Sequence, residues 1–273
     1  MNIAFFLAST LAALTSYSPN IGELTEIAQS SPGEGRPQKR ILVYLPPGYD
    51  TSDKEYPVLY LLHGARGNET SWIKKGGILD AIDSLTMCGK MQETITVFPN
   101  MNQYDNEEDY ADSRPKRAWE SFFEMDGEAE SLFIDDVVRL TDSLFRTIAD
   151  KDHRAIAGLS LGGMQTIHIS AANPDMFGYV GAFSPIVNSV VKHSGYSRFY
   201  KGIKKKFKEQ FANPPRAYMI MIGRNDFLLP HIESFNNYLN EKDYPHEMYV
   251  SSGGHQWKNW RAYCIKFMEE LWK

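Results

Sequence analysis

The sequence contains little cysteine: Cys88 and Cys264 are the two cysteines among its 273 residues. They form neither a C-x-x-C pair nor a Cys/His spacing of the kind that binds zinc. The histidine spacings H-E-x-x-H and H-x-x-x-H are also missing from the sequence. We therefore predict no bound metal and no cofactor, and the sequence leaves open whether the two cysteines pair.

The chain also lacks an excess of basic residues. It has 29 Lys and Arg against 34 Asp and Glu, a formal net charge of -5. Binding to nucleic-acid phosphates requires a net or local excess of Lys and Arg, so we predict no general nucleic-acid binding. One basic run, Lys201 to Lys208, is typical of a solvated helix face.

Long apolar runs are missing after the start of the chain, so we predict no transmembrane span. The apolar stretch from Ile3 to Leu14 has the length of a signal-peptide core, although no Lys or Arg precedes it. We expect residues 1–19 to be a signal peptide, the mature chain to start near Asn20, and the protein to be exported to the periplasm or the cell exterior. The alternative is a buried first helix or strand.

Short apolar runs alternate with segments of helical periodicity along the rest of the chain. Runs without polar alternation are typical of strands buried on both faces of a parallel sheet. Phe133 to Ile148 is the clearest helical segment, and Met164 to Ala172 is another. We predict a single α/β domain over residues 20–273, with a mostly parallel central sheet and helices on both faces. The predicted strands are Arg40 to Leu45, Pro57 to His63, Thr94 to Phe98, Arg154 to Ala157, Tyr179 to Phe183, Tyr218 to Ile222 and Glu247 to Val250.

Two stretches interrupt the alternation of strands and helices. They are Asn100 to Gly127, which is acidic and aromatic, and Asn188 to Pro215, which is basic and helical. Insertions at strand ends in such sheets often shape a substrate pocket, and we expect the same of these two.

A candidate nucleophile follows the predicted strand R-A-I-A. The sequence G-L-S-L-G from Gly158 to Gly162 matches G-x-S-x-G, in which a serine lies on a sharp turn between a strand and a helix. Glycine is needed there because side chains at the neighbouring positions would collide. The preceding strand and the following helix favour this interpretation over a plain glycine-rich turn, so we predict Ser160 as a catalytic nucleophile.

A serine nucleophile needs a histidine to take its proton and a carboxylate to orient that histidine. In α/β-hydrolases the acid and then the histidine follow the serine along the chain. His255 follows Gly253-Gly254 after the last predicted strand, and we prefer it to His193, His231 and His246. Asp226 follows the strand Y-M-I-M-I, and we prefer it to Asp243, which lies in a polar segment where a solvated charge is expected.

The negative charge that develops on the carbonyl oxygen also needs backbone N–H donors. The fold supplies one from the residue after the nucleophile, here Leu161. We expect the second from the H-G-A-R-G loop after the second predicted strand, at Ala65. His63 in the same loop is predicted to support the turn and not to take part in the chemistry.

The assembled motifs resemble carbohydrate esterase family 1, the group of feruloyl and acetylxylan esterases, and more broadly its esterase D and mycolyltransferase relatives. The resemblance covers nearly the whole chain after the leader. A departure is Leu161, where many relatives have Met, which a backbone donor tolerates. The motifs are Y-L-P-P-G-Y at Tyr44 to Tyr49, L-L-H-G at Leu61 to Gly64 with Trp72 downstream, G-L-S-L-G-G, G-x-x-D ending at Asp226, and G-G-H-Q-W-K-N-W at Gly253 to Trp260.

The resemblance implies an α/β-hydrolase fold and hydrolysis of esters that link hydroxycinnamates such as ferulate to xylan or arabinoxylan fragments. Trp72, Trp257 and Trp260 are the predicted substrate contacts, since an indole can stack on an aromatic acyl group or a sugar ring. Trp119 is a further candidate, and buried packing is the alternative for each tryptophan. Other open readings are an acetylxylan esterase, an acyltransferase of the same fold, and a carbohydrate-binding relative without catalysis.

Overall fold

The computed structural model describes residues 21–28, 40–101, 127–187 and 198–273. The predicted signal peptide, Trp119 and much of the two interrupting stretches lie outside these residues. Within them, one sheet has eight strands in the order β1-β2-β4-β3-β5-β6-β7-β8. Its strands are β1 Glu23–Ala28, β2 Arg40–Leu45, β3 Val58–Leu62, β4 Ile95–Pro99, β5 Arg154–Leu159, β6 Tyr179–Phe183, β7 Ala217–Gly223 and β8 Glu247–Ser251.

The sheet is mostly parallel, as predicted. β1 pairs with β2 and β2 with β4 in antiparallel fashion, and the remaining neighbours run parallel. The seven predicted strands are confirmed, with bounds that differ by at most two residues. β1 was not predicted, because its sequence E-L-T-E-I-A is largely exposed and contains no buried apolar run.

Helices cover both faces of the sheet, which confirms the predicted α/β fold. Alternate strand residues enter two separate cores: Ile156 and Ile220 pack on one face, and Ala157 and Met221 on the other. The helices are α1 Ser71–Lys74, α2 Ile78–Met87, α3 Glu128–Phe133, α4 Arg139–Leu144, α5 Leu161–Ala172, α6 Ile203–Gln210, α7 Leu229–Glu241 and α8 Trp257–Met268, with a π-helical segment Ile134–Val138 between α3 and α4.

One predicted helix is wrong at its C-terminal end. We predicted a helix as far as Ile148, but α4 ends at Leu144 and Phe145 is extended, with φ -127° and ψ 158°. The chain leaves the helix because the Tyr56 amide donates to the Arg146 carbonyl and the Ile148 amide donates to the Tyr56 carbonyl. Pairing with Tyr56 therefore replaces the last helical turn.

The predicted solvated helix face is confirmed in α6. Its lysines at 204, 205 and 208 are exposed, while Ile203 and Phe207 are buried. Among the residues that the structure describes, no helix combines the length and apolar character needed to cross a bilayer.

Candidate active site

Ser160 lies in the sharp turn between β5 and α5, with φ 52° and ψ -112°. A positive φ is strained for a residue with a side chain, and the chain turns here because glycines flank the serine. A Cβ on Gly158 would lie 2.5 Å from the Gly162 carbonyl oxygen, and a Cβ on Gly162 would lie 2.3 Å from the His63 carbonyl oxygen. Both glycines are therefore steric requirements of the turn that presents Ser160 at the carboxyl edge of the sheet.

The structure brings together the three residues that chain order selects. His255 Nε2 lies 3.0 Å from Ser160 Oγ, and His255 Nδ1 lies 2.9 Å from Asp226 Oδ2. Because an ionised carboxylate only accepts hydrogen bonds, Nδ1 carries the proton and Nε2 accepts from the Ser160 hydroxyl. The Asp226 side chain is fully buried and that of His255 is 20% exposed. The group is thus open to solvent at the histidine.

Two opposing effects set the charge of Asp226. Burial would raise the pKa of this carboxyl, but the hydrogen bonds from His255 and the Leu228 amide, together with the nearby Ser184 hydroxyl, outweigh burial, and the pKa lies below its ordinary value. The Leu228 amide donates to Asp226 Oδ1 at 3.0 Å. Asp226 is therefore ionised at neutral pH, which is the form that can orient a histidine and stabilise an imidazolium.

Ser184 faces Asp226 and was missed in the sequence. It follows β6, the strand between β5 and β7, and it is fully buried with φ 45°. Its hydroxyl has no partner in standard hydrogen-bond geometry among the described residues, yet it contributes to lowering the pKa of Asp226. The available signal was its position directly after a predicted strand, in F-S-P. The order of strands in the sheet cannot be read from the sequence, and only this order shows that Ser184 lies between Ser160 and Asp226 at the edge of the sheet.

Of the two predicted N–H donors, Leu161 follows Ser160 directly, and Ala65 follows a glycine that packs near Ser160. Leu161 is the first residue of α5, so its amide has no partner within the helix. Ala65 follows Gly64, where a Cβ would lie 3.5 Å from the Ser160 Cβ. These positions are compatible with an oxyanion hole, and the donor roles of both amides stay predictions.

His63 supports the loop that contains Ala65 through hydrogen bonds of its ring, as predicted. Its Nδ1 lies 2.8 Å from the Gly64 carbonyl oxygen, and its Nε2 accepts from the Met101 amide at 3.0 Å. A carbonyl oxygen can only accept, so Nδ1 carries the proton and both ring nitrogens are used. The neutral imidazole thus fixes the turn that contains Ala65.

The predicted substrate contact at Trp72 is wrong. This side chain is 1% exposed, and its Nε1 donates to the Leu62 carbonyl oxygen at 2.9 Å, so it belongs to the core. Trp260 is also buried, and its ring lies edge to face against His255 with centroids 4.8 Å apart. Trp257 is partly buried between the two, 5.4 Å from each ring. Its contact with a substrate stays a prediction.

Phe227 is a second residue that the sequence analysis missed. It follows Asp226 directly, its side chain is 64% exposed, and its ring centroid lies 4.8 Å from that of His255. A phenylalanine in a polar loop carries no functional signal in a sequence, because only the fold shows what lies beside it. In the structure it gives the site an exposed apolar surface.

These elements define the class of the protein as an α/β-hydrolase. Ser160 lies in the turn after β5, Asp226 follows β7 and His255 follows the neighbouring strand β8. Residues 36–227 match the model of the family described as putative esterase. The chain belongs to this esterase family. Within the described residues, no group of three His, Cys, Asp or Glu side chains is arranged to hold a metal ion.

Curated relatives carry related names. An endo-1,4-beta-xylanase/feruloyl esterase of Xylanibacter ruminicola is 31% identical over 261 residues, which is 93% of this chain and 32% of that protein. The chain thus spans about a third of the length of this relative. An acetyl esterase of Caldicellulosiruptor saccharolyticus is 22% identical over 254 residues, covering 82% of this chain and 86% of that protein.

Solved structures share the fold. A carbohydrate esterase family 1 ferulic acid esterase from Anaeromyces mucronatus, solved with ferulic acid, superposes with a TM-score of 0.76 at 22% identity, covering 97% of this chain and 94% of the other. At this identity the likeness establishes the fold alone. Together with the family match and the Xylanibacter ruminicola relative, it confirms the resemblance to carbohydrate esterase family 1.

Proposed function

We propose that this chain is a serine esterase that releases hydroxycinnamates such as ferulate from xylan, with Ser160, His255 and Asp226 as its catalytic triad. The observation that carries the proposal is the pair of contacts at His255, 3.0 Å to Ser160 Oγ and 2.9 Å to Asp226 Oδ2. The relative of Xylanibacter ruminicola, at 31% identity, supports the feruloyl ester as substrate.

Acylation begins when Ser160 Oγ attacks the ester carbonyl carbon and its proton passes to His255 Nε2. Asp226 stays ionised and stabilises the imidazolium through Nδ1. The amides of Ala65 and Leu161 donate to the oxyanion, and each such donor is typically worth about 3 kcal/mol. When the tetrahedral intermediate collapses, His255 gives its proton to the leaving sugar oxygen, and the acyl group remains on Ser160.

Deacylation repeats these steps with water. His255 Nε2 takes a proton from a water molecule as it attacks the acyl-enzyme, and the second tetrahedral intermediate again places its charge at the Ala65 and Leu161 amides. Collapse returns the proton to Ser160 Oγ and releases the free acid. No cofactor is needed for this cycle, because every proton moves between His255, Ser160, water and the sugar.

The exposed ring of Phe227 and the partly buried ring of Trp257 support an aromatic acyl group. Phe227 is 64% exposed next to His255, and an aromatic pair adds about 0.5–1.5 kcal/mol beyond the area it buries. A hydroxycinnamate could use such a contact, whereas an acetyl group is too small to do so. The second candidate is an acetylated xylan substrate, which the acetyl esterase relative favours.

The test is a panel of methyl ferulate, methyl p-coumarate, methyl sinapate and acetylated xylan. We expect hydrolysis of the hydroxycinnamate esters to exceed that of acetyl groups, with a burst of p-nitrophenol from an activated ester. Ser160→Ala should abolish both, while Ser143→Ala, which changes an exposed serine whose hydroxyl donates to the Leu140 carbonyl, should retain them. Activity of Ser160→Ala equal to the wild type would refute the triad.

Export and domain extent belong to the same proposal. We place a signal peptide at residues 1–19, because xylan fragments are found outside the cell. We place a single esterase domain at residues 20–273. Expression of the full chain in a bacterial host, followed by N-terminal sequencing of the exported protein, should give a first residue near Asn20. Retention of Met1 in a cytoplasmic product would contradict export.

A further inference from the structure

A cavity of about 240 Å³ opens between β8 and α8. Gly253 and Gln256 line it, and they lie two residues before and one residue after His255. The loop from 252 to 256 therefore separates the cavity from the active site. It carries His255, which contacts Ser160, and it also lines the cavity. Tyr249, Ser252 and Lys258 also line it.

The lining is rich in hydrogen-bond donors and includes an exposed ring. The side chains of Ser252, Gln256 and Lys258 are exposed, and no Asp or Glu is among the lining residues. Tyr249 is 40% exposed at the edge strand of the sheet. Hydroxyl, amide and ammonium groups donate to oxygen, and concave binding sites combine a few such groups with apolar surface.

The wall behind these groups is fixed by hydrogen bonds. Asn259 Nδ2 lies 3.1 Å from Ser251 Oγ, 2.7 Å from the Ser252 carbonyl oxygen and 2.8 Å from Tyr263 Oη. Gln256 Nε2 donates to Asn259 Oδ1 at 3.0 Å. A wall held in this way loses little conformational entropy when a ligand binds, which favours binding.

We propose that this cavity is a subsite for the sugar chain of the ester substrate, an inference that rests on the proposed function. In that mechanism His255 protonates the leaving sugar oxygen, so the sugar lies on the side of His255. The loop that carries His255 also lines the cavity, so we place in it the part of the sugar chain that extends past the esterified unit. Its exposed donors match sugar hydroxyl oxygens, and Tyr249 offers a ring to the C–H face of a sugar.

The test compares two esters with the same acyl group: methyl ferulate, and ferulate on an arabinoxylo-oligosaccharide of several sugar units. We expect Tyr249→Ala and Lys258→Ala to lower kcat/KM on the oligosaccharide ester about tenfold, chiefly through KM, a loss that corresponds to one charged or aromatic contact. Their kcat/KM on methyl ferulate should stay within about twofold of wild type. Lys208→Ala, the same charge change on α6, is the matched control and should alter neither substrate.

Two outcomes would overturn the subsite: an unchanged kcat/KM on the oligosaccharide ester, or an equal loss on both esters, which would mean that the His255 loop had been disturbed. A binding arm separates this inference from the proposed function. Ser160→Ala titrated with an unesterified arabinoxylo-oligosaccharide in a calorimeter should bind it, and Tyr249→Ala in that background should not. If the wild type fails to hydrolyse methyl ferulate, the feruloyl proposal fails, whereas binding of the oligosaccharide still decides the subsite.

Discussion

Gly162 packs so closely against His63 that a Cβ on Gly162 would lie 2.3 Å from the His63 carbonyl oxygen. The Leu62 carbonyl oxygen would lie 2.8 Å away, and neither backbone atom can move without shifting β3. We expect Gly162→Ala to lower the free energy of unfolding by about 3 kcal/mol, measured by urea denaturation. Gly89→Ala is the control because nothing lies within 4 Å of its added Cβ, so its positive φ should cost only about 1 kcal/mol. Equal losses would contradict the steric argument.

The hydrogen bond between Asp226 and His255 predicts a large kinetic effect of Asp226→Asn. An amide can donate to Nδ1 and so favours the tautomer that puts the proton on Nε2, where it cannot accept from Ser160. We expect kcat to fall about 10⁴-fold, measured with methyl ferulate at saturating concentration. Asp243→Asn changes the exposed aspartate that rivalled Asp226 in the sequence and should leave kcat unchanged. A larger loss at Asp243 would reverse the assignment.

The lowered pKa of Asp226 also predicts a pH dependence of stability. The unfolded carboxyl titrates near its ordinary pKa of about 3.9, and the folded one titrates below it. Ionised Asp226 therefore stabilises the fold above pH 3.9 or so, and this contribution is lost as the pH falls through the folded pKa. Between about pH 5 and pH 2, urea unfolding should show a steeper loss of stability for the wild type than for Asp226→Asn. Parallel curves would show that Asp226 makes no such contribution.

The fold followed from the sequence because the strands are buried on both faces. Runs such as V-L-Y-L-L in β3 and Y-V-G-A-F in β6 are compatible with few structures other than buried strands. The order of residues along the chain was enough to choose His255 as the partner of Ser160 and Asp226 as the partner of His255. The order of the strands in the sheet was not readable, so Ser184 beside Asp226 went unnoticed. Burial of a single tryptophan was not readable either, so Trp72 was wrongly included among the predicted substrate contacts.

Ser184 offers a way to separate backbone strain from a hydroxyl effect. Ser184→Ala and Ser184→Gly both remove the hydroxyl that faces Asp226, but glycine alone tolerates φ 45° without strain. We expect both variants to lower kcat about tenfold at unchanged KM, because the hydroxyl dipole that favours the ionised form of Asp226 is removed. The glycine variant should have the higher Tm of the two. Wild-type kcat in Ser184→Gly would mean that the hydroxyl plays no positioning role.

The exposed ring of Phe227 predicts an effect on binding without an effect on folding. We expect Phe227→Ala to raise KM for methyl ferulate about two- to tenfold, the worth of one aromatic contact, and to leave Tm within about 1 °C. Trp72→Phe should do the reverse: it removes the hydrogen bond to Leu62 in the core, costs about 1 kcal/mol of stability, and leaves KM unchanged. An unchanged KM in Phe227→Ala would exclude the ring from the acyl site.

The two cysteines differ in a way that is useful for spectroscopy. Cys88 is free and exposed at the end of α2, whereas Cys264 is free but fully buried in α8, where burial raises the pKa of its thiol. Thiolates are the form that reacts with maleimides, so a dye should attach at Cys88 and spare Cys264. The native chain thus provides one labelling position for fluorescence, on a segment that supplies no residue to the Ser160 site, without an engineered cysteine.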